Sequence, residues 1–363
     1  MTLLSRESIE NALKTYHDPH SDSDLVSAGA VRSIQIEDGR VTIEIVLGFP
    51  AKSYFPRLVT TLTEKLRSLP GLEAVDIKVR TEITARAVQQ GQKPLPGIKN
   101  IIAVASGKGG VGKSTVAANL ALALSQEGAQ VGVLDADIYG PSIPRMLGVS
   151  GQPETKDGQL IEPKTSYSLQ IMSIGFLVDE DTPMIWRGPM ATGALQQLLT
   201  QTHWHDLDYL IVDLPPGTGD IQLTLTQQIP VSGALIVTTP QDIALLDAMK
   251  GLKMFEKVNV PVLGIVENMS LHICSQCGHE EPIFGSGGGE KLAGKYNVPL
   301  LGSLPLDISI RENADGGHPT VIYDPDSRIA QIYKEIARKA AAKLARRPKD
   351  FAAKFPKIVV END

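Results

Sequence analysis

A glycine-rich stretch constrains this chain more than any other feature. The apolar run Ile101–Ala105 leads directly into Ser106–Thr115, which reads SGKGGVGKST and contains the spacing G-x-x-x-x-G-K-S. Apolar residues then recur at helical intervals, at Val116, Leu120, Ala123 and Leu124. A strand, a glycine-rich turn and a helix are the context of a phosphate-binding loop, because backbone N–H groups and the helix N-terminus attract phosphate oxygens. We therefore predict a nucleotide-binding P-loop.

Three side chains of this loop have predicted roles in phosphoryl transfer. Lys113 would reach the β- and γ-phosphates, and Ser114 would ligate Mg²⁺. Lys108 is a second lysine, which an ordinary P-loop does not explain. We predict that it points towards the nucleotide of a partner subunit, since catalytic charge is supplied in trans in other phosphoryl transfers. The residues predicted to contact the nucleotide are Gly107, Lys108, Gly109, Gly110, Val111, Gly112, Lys113, Ser114, Thr115 and Asn268.

Two further apolar runs end in carboxylates that suit a metal-dependent nucleotide site. Val131–Leu134 is followed by Asp135 and Asp137, which are two residues apart and therefore predicted to point to the same side of the strand. We interpret them as a pair that positions Mg²⁺ or water, with Asp137 orienting the attacking water. Asp213 ends the run Tyr209–Val212 in the manner of a Walker B segment, whose Asp holds Mg²⁺.

The base of the nucleotide is indicated more weakly. The chain has no Asn-Lys-x-Asp guanine-recognition motif, and the comparable position reads Glu267–Ser270, ENMS. ATP is therefore favoured over GTP, and Asn268 is predicted to contact the adenine. The loop Leu214–Asp220 directly follows Asp213 and is rich in Pro and Gly. Such a loop could sense the γ-phosphate and move on hydrolysis, as nucleotide switches do.

The only two cysteines, Cys274 and Cys277, form a C-x-x-C pair. Such a pair is typical of a metal or redox site, and the pattern around it does not fit a thioredoxin-like protein. Two thiolates close neither a tetrahedral zinc site nor a four-cysteine cluster. Either His272 and His279 complete the site, although their spacing from the cysteines is short, or two chains contribute two sulfurs each. A two-fold dimer is the simpler arrangement, and zinc stays open as an alternative to iron and sulfur.

Length and composition indicate a soluble protein of more than one domain. The chain has 363 residues, 42% of them hydrophobic and 21% charged, with a net charge of −6 that argues against a generic nucleic-acid binder. It has no apolar run long enough for a membrane span. Its N-terminus resembles neither a secretory signal nor a transit peptide. With only two cysteines, a disulfide framework is excluded, so we predict a cytoplasmic protein without stable membrane or nucleic-acid association.

Changes in composition divide the chain into predicted domains. Residues 1–83 read as a small α/β domain, with a hairpin turn at Asp38–Gly39, and residues 84–97 have linker composition. In residues 98–363, apolar strand-like runs alternate with helical patterns, which predicts a mostly parallel sheet covered by helices on both faces. Its predicted strands are Ile101–Ala105, Val131–Leu134, Tyr209–Val212, Ala234–Val237, Val262–Val266 and Leu300–Leu304.

Two histidines, a glycine-rich segment, one arginine and the C-terminal helix also have predicted environments. His17 and His20 are expected to be solvated loop residues, and the glycines of Phe284–Gly289 are expected to form a flexible helix entry. Arg187, beside Trp186, is a candidate partner or switch contact. A basic amphipathic helix is predicted over residues 325–346, docking on its own domain rather than on a membrane.

Several motifs together resemble one family. Lys108–Thr115 is similar to the deviant Walker A box of the MinD/ParA/nitrogenase-iron-protein class. Within that class, the chain is identified as a member of the Mrp/ApbC family of ATPases that carry iron–sulfur clusters. The segments that carry this resemblance are Asp135–Ser142, Trp186–Met190, Asp213–Asp220, Glu267–Ser270 and Cys274–Cys277. The N-terminal unit resembles the small domain of other iron–sulfur assembly proteins, although its region Gly48–Tyr54 lacks the cysteine that many of them have.

The resemblance implies a P-loop NTPase fold and a homodimer with ATP at its interface. It further implies that Lys108 acts in trans and that Cys274 and Cys277 of both chains bridge a [4Fe–4S] cluster. The predicted function is transfer of clusters to apo-proteins, coupled to slow ATP hydrolysis. The alternatives are a positioning ATPase like MinD or ParA, an electron-donating reductase and a zinc-bridged dimer. The close cysteine pair and the absence of a bulky apolar terminal helix favour the carrier.

Overall fold

The computed structural model describes residues 4–89, 91–156, 158, 160–177, 188–274 and 276–349. The predicted contact at Arg187, with its neighbour Trp186, lies outside these residues. Within the described ranges, a three-stranded sheet near the N-terminus is followed by an eight-stranded sheet. The P-loop follows one of the strands of this larger sheet. None of the described helices is long and apolar enough to cross a bilayer.

The N-terminal unit packs two helices on its three-stranded sheet. Its elements are α1 (Arg6–Lys14), β1 (His17–Asp18), β2 (Ser23–Asp24), β3 (Val31–Glu37), β4 (Arg40–Leu47), α2 (Phe55–Leu66) and β5 (Ala74–Thr81). The predicted hairpin is confirmed: β3 and β4 are antiparallel, and Glu37 pairs with Arg40 across Asp38 and Gly39. Both turn residues have positive φ, 45° and 77°, as a tight two-residue hairpin turn requires.

One expectation for this unit is wrong. The His20 side chain is only 5% exposed and lies edge-on to the ring of Tyr54, 4.6 Å between centroids. Its Nδ1 is 3.4 Å from the buried carboxylate of Asp18. His20 is therefore part of the packed interior and not a solvated loop residue, whereas His17 is exposed as expected. Local polarity of the sequence did not reveal the aromatic side chains that cover His20 from distant positions.

The large sheet has the predicted parallel architecture. The remaining strands are β6 (Ile98–Ser106), β7 (Val131–Asp135), β8 (Thr155–Lys156), β9 (Leu160–Ile161), β10 (Lys164–Ser166), β11 (Leu169–Ser173), β12 (Leu207–Asp213), β13 (Gly233–Thr238), β14 (Val262–Glu267), β15 (His272–Ile273), β16 (Glu280–Glu281) and β17 (Leu300–Ser303). The sheet order is β10-β11-β7-β12-β6-β13-β14-β17, and all neighbours except β10 and β11 are parallel. Six of the strands were predicted, while β10 and β11 were not.

Helices surround this sheet and bury its apolar strands, of which β12 is buried at every residue. They are α3 (Lys113–Gln126), α4 (Ile143–Met146), α5 (Gly188–Gln201), α6 (Asp220–Gln228), α7 (Asp242–Lys257), α8 (Gly288–Tyr296), α9 (Ile308–Asp315), α10 (Thr320–Tyr323) and α11 (Arg328–Ala345). The helix α11 packs on α3 and β17, as predicted, with Ile336, Ala340 and Leu344 buried. The glycine-rich segment before α8 is a helix entry, since Gly287 caps that helix in a left-handed conformation.

The N-terminal unit contacts the P-loop domain through a buried ion pair. Glu127, at the C-terminal end of α3, is 3.1 Å from the guanidinium of Arg338 on α11. The same carboxylate accepts a hydrogen bond from the backbone N–H of Ser53, 3.0 Å away. Both charged side chains are at least nine-tenths buried. The loop Gly48–Tyr54, which lacks the cysteine of the domains that it resembles, therefore lies against the C-terminal end of α3.

Candidate nucleotide site and cysteine pair

Three adjacent central strands bring the predicted nucleotide-site residues together. β7, β12 and β6 are neighbours and parallel, so their carboxyl ends meet at one edge of the sheet. The P-loop follows β6, Asp137 follows β7, and Asp213 ends β12. Ligands of open α/β sheets bind at this edge. The sheet order therefore explains why motifs about a hundred residues apart form one site.

Two glycines of the P-loop are required by its geometry. A Cβ on Gly107 would lie 2.1 Å from the carbonyl carbon of Asp247 in α7, so any side chain would collide with a helix backbone. Gly112 has a φ of +81°, and a Cβ there would lie 2.3 Å from Nδ2 of Asn268. Gly112 is also the N-cap of α3, and no side chain caps that helix. Its first N–H groups therefore remain available for phosphate oxygens.

Lys113 lies between the two predicted carboxylates. Its Nζ is 2.6 Å from Oδ1 of Asp213 and 3.5 Å from Oδ2 of Asp137. Lys113 is 6% exposed and the Asp213 side chain is fully buried, so this ion pair is shielded from water. The ammonium neutralises charge that burial would otherwise make very costly. The lysine that is predicted to reach the phosphates thus also holds the acidic side of the site together.

The same carboxylates suit a magnesium ion. Oδ2 of Asp213 and Oδ1 of Asp137 are buried and accept no hydrogen bond from the described residues. Nζ of Lys113 donates to the Ser114 hydroxyl at 3.2 Å and to Oδ1 of Asp213 at 2.6 Å, so both predicted magnesium ligands lie around the same ammonium. Carboxylate and hydroxyl oxygens are the ligands that Mg²⁺ takes beside nucleotide phosphates. This donor set therefore fits the cation.

Burial perturbs the acidic groups at this edge of the sheet. It raises the pKa of Asp213, and the charge of Lys113 opposes that shift. Burial, and then the nearby charge of Asp213, also raise the pKa of Asp135. Strong desolvation beside a specific charge partner is typical of functional sites.

Asp135 and Asp137 are predicted to act as a pair, and in the structure the two carboxylates have different partners. Asp137 faces Lys113, whereas Asp135 accepts hydrogen bonds from the backbone N–H groups of Asp137 and Ile143 and from the hydroxyl of Ser173. Asp135 therefore shapes the loop after β7. Ser173 belongs to a strand that the sequence did not reveal, so this role could not be predicted.

Lys108 differs from Lys113 in having no side-chain partner among the described residues of its chain. Its side chain is partly exposed and makes no hydrogen bond or ion pair with the residues that the structure describes. Its backbone carbonyl accepts a hydrogen bond from Ser106 Oγ at 2.9 Å, which fixes the main chain of the loop at that point. The charge of Lys108 thus lies on a backbone that is hydrogen-bonded in place, and the described part of its own chain does not neutralise it.

The loop after Asp213 lies against the P-loop. The backbone N–H of Gly217 donates to the carbonyl of Ser106 at 3.0 Å, and Pro216 lies about 4 Å from where a Cβ on Gly109 would be. A segment in this position would contact a bound γ-phosphate or the loop that holds it. A nucleotide switch needs to lie in this position. Movement of the loop Leu214–Asp220 on hydrolysis stays a prediction.

Asn268 has a role that the sequence did not reveal. Its Nδ2 donates a hydrogen bond to the backbone carbonyl of Val111 in the P-loop, 2.9 Å away, and the residue is 7% exposed. Its own N–H donates to Thr238 at the end of β13. The neighbouring Glu267 accepts the N–H of Gly289 at the start of α8. The contact of Asn268 with adenine stays a prediction, whereas its hydrogen bond to the P-loop is observed.

The cysteines lie on a short hairpin that β15 and β16 form. Cys274 is half-buried and Cys277 is exposed. The backbone N–H of Cys277, and then that of Gln276, lower the pKa of the Cys274 thiol, which favours the thiolate that binds metals. The His272 ring is within hydrogen-bond distance of the Leu306 carbonyl, 3.2 Å. Among the described residues, no His, Asp or Glu comes close enough to the cysteines to complete a three-ligand group.

Comparisons with known proteins agree with these sites. Residues 97–341 match the family model described as NUBPL iron-transfer P-loop NTPase, and residues 6–79 match the model described as iron-sulfur cluster assembly protein. An iron-sulfur cluster carrier protein of Escherichia coli K12 is 54% identical over 340 residues, which cover 93% of this chain and 92% of the relative. The iron-sulfur cluster transfer protein NUBPL of Mus musculus is 51% identical over 285 residues, 78% of this chain and 89% of its own.

Solved structures with this fold include nucleotide-binding ATPases. A nucleotide-binding protein of Archaeoglobus fulgidus in complex with ADP is 38% identical with a TM-score of 0.57, covering 65% of this chain and 92% of its own. The cell division ATPase MinD of Pyrococcus furiosus is 25% identical with a TM-score of 0.50, covering 66% of this chain and 97% of its own. The expected fold class is therefore confirmed, and the chain belongs to the NUBPL iron-transfer P-loop NTPase family.

Proposed function

We propose that this protein carries an iron–sulfur cluster as cargo between two chains and delivers it to apo-proteins under the control of ATP. Its family and the names of its relatives in Escherichia coli and Mus musculus support cluster transfer. The cargo would be a [4Fe–4S] cluster held by Cys274 and Cys277 of each chain. One chain supplies two thiolates and, in its described part, no third ligand near them, so two chains are needed to hold four iron atoms.

One contact carries the coupling between ATP and the cluster. Asn268 holds the P-loop at Val111, and only six residues further along the chain is Cys274. The segment between them is fixed at Ser270, whose N–H and hydroxyl both bond to the carbonyl of Leu304. A change in the P-loop backbone on nucleotide binding therefore has a short, hydrogen-bonded route to the cysteine hairpin.

The geometry at the ends of β6, β7 and β12 supports the following nucleotide chemistry. On ATP binding, Lys113 would exchange its contact with Asp213 for the β- and γ-phosphates. Ser114 and Asp213 would hold Mg²⁺, which neutralises charge on the phosphates. Asp137 would orient a water whose oxygen bonds to the γ-phosphorus as the bond to the bridging oxygen breaks, and ADP leaves with that electron pair. Hydrolysis would be slow, because the transition-state charge is fully compensated only when a second chain is in place.

The homodimer interface would lie over the P-loop. Lys108 has no partner in the described part of its own chain, and a lysine on a glycine-rich loop can reach across a two-fold axis to the partner's γ-phosphate. The same axis would bring the two cysteine pairs together. One dimer therefore completes both sites.

Anaerobic reconstitution tests this proposal. The protein is loaded with iron and sulfide, and iron, sulfide and zinc are measured per dimer before transfer to an apo-acceptor. We expect about four iron and four sulfide per dimer, transfer that depends on nucleotide, and loss of both in Cys274→Ala. Zinc alone in the wild type, or a cluster that Cys274→Ala retains, would contradict cluster carriage.

A further inference from the structure

A group of side chains with the chemistry of metal ligands lies far from the nucleotide site. It consists of Glu162, just after β9, and of His203 and His205, just before β12. Nδ1 of His203 is 2.9 Å from one carboxylate oxygen of Glu162, and Nε2 of His205 is 2.9 Å from the other. The three ligand atoms all lie within 4.8 Å of one another. Because the histidines precede β12 and Asp213 ends it, the group is about 20 Å from the magnesium ligands.

The backbone under these side chains is held in place. The N–H of His203 donates to the carbonyl of Ile161, at 2.9 Å, so the histidine loop is bonded to the residue before Glu162. His205 exchanges two hydrogen bonds with the Gln170 side chain: its N–H donates to Oε1 at 2.9 Å, and its carbonyl accepts from Nε2 at 2.8 Å. The positions of the ligands are thus set by three segments of the chain.

Trp204 orients the two histidines. It is 5% exposed, and its indole N–H donates to the carbonyl of Leu199 at 3.1 Å. With Trp204 anchored in the interior, the residues on either side of it turn outward, and their rings lie 4.2 Å apart between centroids. Both imidazoles are about half exposed, at 49% and 48%, so an ion from solvent reaches them. The His-Trp-His sequence therefore places two imidazoles next to each other on the protein surface.

We propose that Glu162, His203 and His205 form a second metal site, which binds a divalent transition-metal ion of the Zn²⁺ class independently of the cysteines. Two imidazole nitrogens with one carboxylate suit Zn²⁺, Co²⁺, Ni²⁺ or Fe²⁺. They do not suit Ca²⁺, which prefers sites made only of oxygen ligands. Ligand bonds of about 2.0–2.2 Å in a tetrahedral site place the ligand atoms about 3.3 Å apart. The two N···O separations are 2.9 Å, to different oxygens of Glu162, and the three ligand atoms lie within 4.8 Å of one another, so side-chain rotation would bring them to that spacing around an ion.

The arrangement leaves a coordination position for a non-protein ligand. Three protein ligands leave the fourth tetrahedral position to water or a small molecule, as in catalytic rather than structural zinc sites. Both histidines border a cavity of about 450 Å³, whose other walls include Leu95, Gly97 and Leu199. The metal would thus join the segment after β9 to the α5–β12 connection while remaining open to this cavity.

Zinc titration of a variant without cysteines tests this site. In a Cys274→Ser/Cys277→Ser background, calorimetry with Zn²⁺ is expected to give one ion per chain. His203→Ala and His205→Ala should each weaken binding at least ten-fold, and Glu162→Gln should weaken it less because one carbonyl oxygen remains. His17→Ala, which removes an exposed histidine elsewhere, is the matched control and should bind as the background does.

Two further readouts separate metal binding from a simple ion pair. Zn²⁺ should raise the melting temperature of the background variant, because a ligand that binds only the folded state stabilises it, and should not raise that of His203→Ala. Co²⁺ in place of Zn²⁺ should give visible d–d bands without thiolate charge-transfer bands. No bound ion in the background variant, or zinc binding that both histidine substitutions leave unchanged, would overturn the proposal.

Discussion

Lys113 is 6% exposed and lies against two carboxylates of its own chain, whereas Cys277 is exposed on a two-stranded hairpin. The P-loop region is built on the three central strands, and its buried lysine is already paired with carboxylates of the same chain. The cysteine hairpin has two thiols and, within the described residues, no third ligand close by. Under the proposed function, the first region takes a ligand from solution, and the second takes a ligand that it shares with a second copy of the chain. Substitutions in the P-loop region should therefore change stability and nucleotide binding, whereas those in the cysteine hairpin should change thiol reactivity and cluster binding.

The largest effect is expected from Lys113→Ala. Removing the ammonium leaves the buried carboxylate of Asp213 without its cation, which should lower the free energy of unfolding by about 3–5 kcal/mol. Nucleotide binding should be lost as well. Urea unfolding without nucleotide measures the first effect, and titration with a fluorescent ATP analogue measures the second. Unchanged stability would show that the ion pair with Asp213 contributes nothing to the fold.

Lys108→Ala is the matched control within the same loop. Since Lys108 has no partner in the described part of its chain, the free energy of unfolding should change by less than about 0.5 kcal/mol. Nucleotide affinity should persist while hydrolysis is lost, because the proposed function assigns the charge of Lys108 to the partner's site. Equal losses of affinity and hydrolysis would instead place Lys108 in its own site.

A smaller effect is expected from Asn268→Ala, which tests whether the two regions communicate. The variant leaves the Val111 carbonyl without its donor and should cost roughly 1–3 kcal/mol of stability. Nucleotide should then no longer alter the rate at which Cys274 is alkylated. Ser270→Ala removes only the hydroxyl's bond to the Leu304 carbonyl and leaves the backbone N–H bond that holds the segment, so this variant should keep that response. If Asn268→Ala also keeps it, the coupling runs by another route.

The smallest effect concerns the Cys274 thiol. Because backbone N–H groups of Cys277 and Gln276 lower its pKa, the thiolate persists below the usual thiol pKa of about 8.5. Folding thus favours the thiolate, a contribution present above the unfolded pKa and lost as pH falls through the folded one. Alkylation of the apo-protein, followed by mass spectrometry, should be half-maximal at a lower pH for Cys274 than in urea-unfolded protein. Coincident profiles would remove this explanation of thiolate formation.

Local motifs predicted most of the nucleotide site, because its geometry is encoded in short segments. The P-loop, Asp213 and the turn at Asp38–Gly39 each follow from a few adjacent residues, and the alternation of apolar runs with helices predicted six strands of the large sheet. The strand β11 was missed because its five residues include the polar Gln170 and Ser173.

Contacts between distant segments could not be predicted. Asn268 reaches Val111 over 157 residues, and His203 meets Glu162 over 41. Neither pair has a local pattern, since the sheet order alone decides which loops become neighbours. The same reason explains His20, whose burial depends on Tyr54. Sequence indicated the types of chemistry available, and topology decided which groups share a site.

Iron content of a mixed dimer tests the shared cluster site most directly. Wild-type chains and Cys274→Ala/Cys277→Ala chains, carrying different affinity tags, are combined, and the heterodimer is isolated and reconstituted anaerobically. A cluster that needs thiolates from both chains should be absent from the heterodimer and present in the wild-type homodimer prepared in parallel. A heterodimer that retains half of the homodimer's iron would show that each chain holds its own metal, and would contradict the shared site.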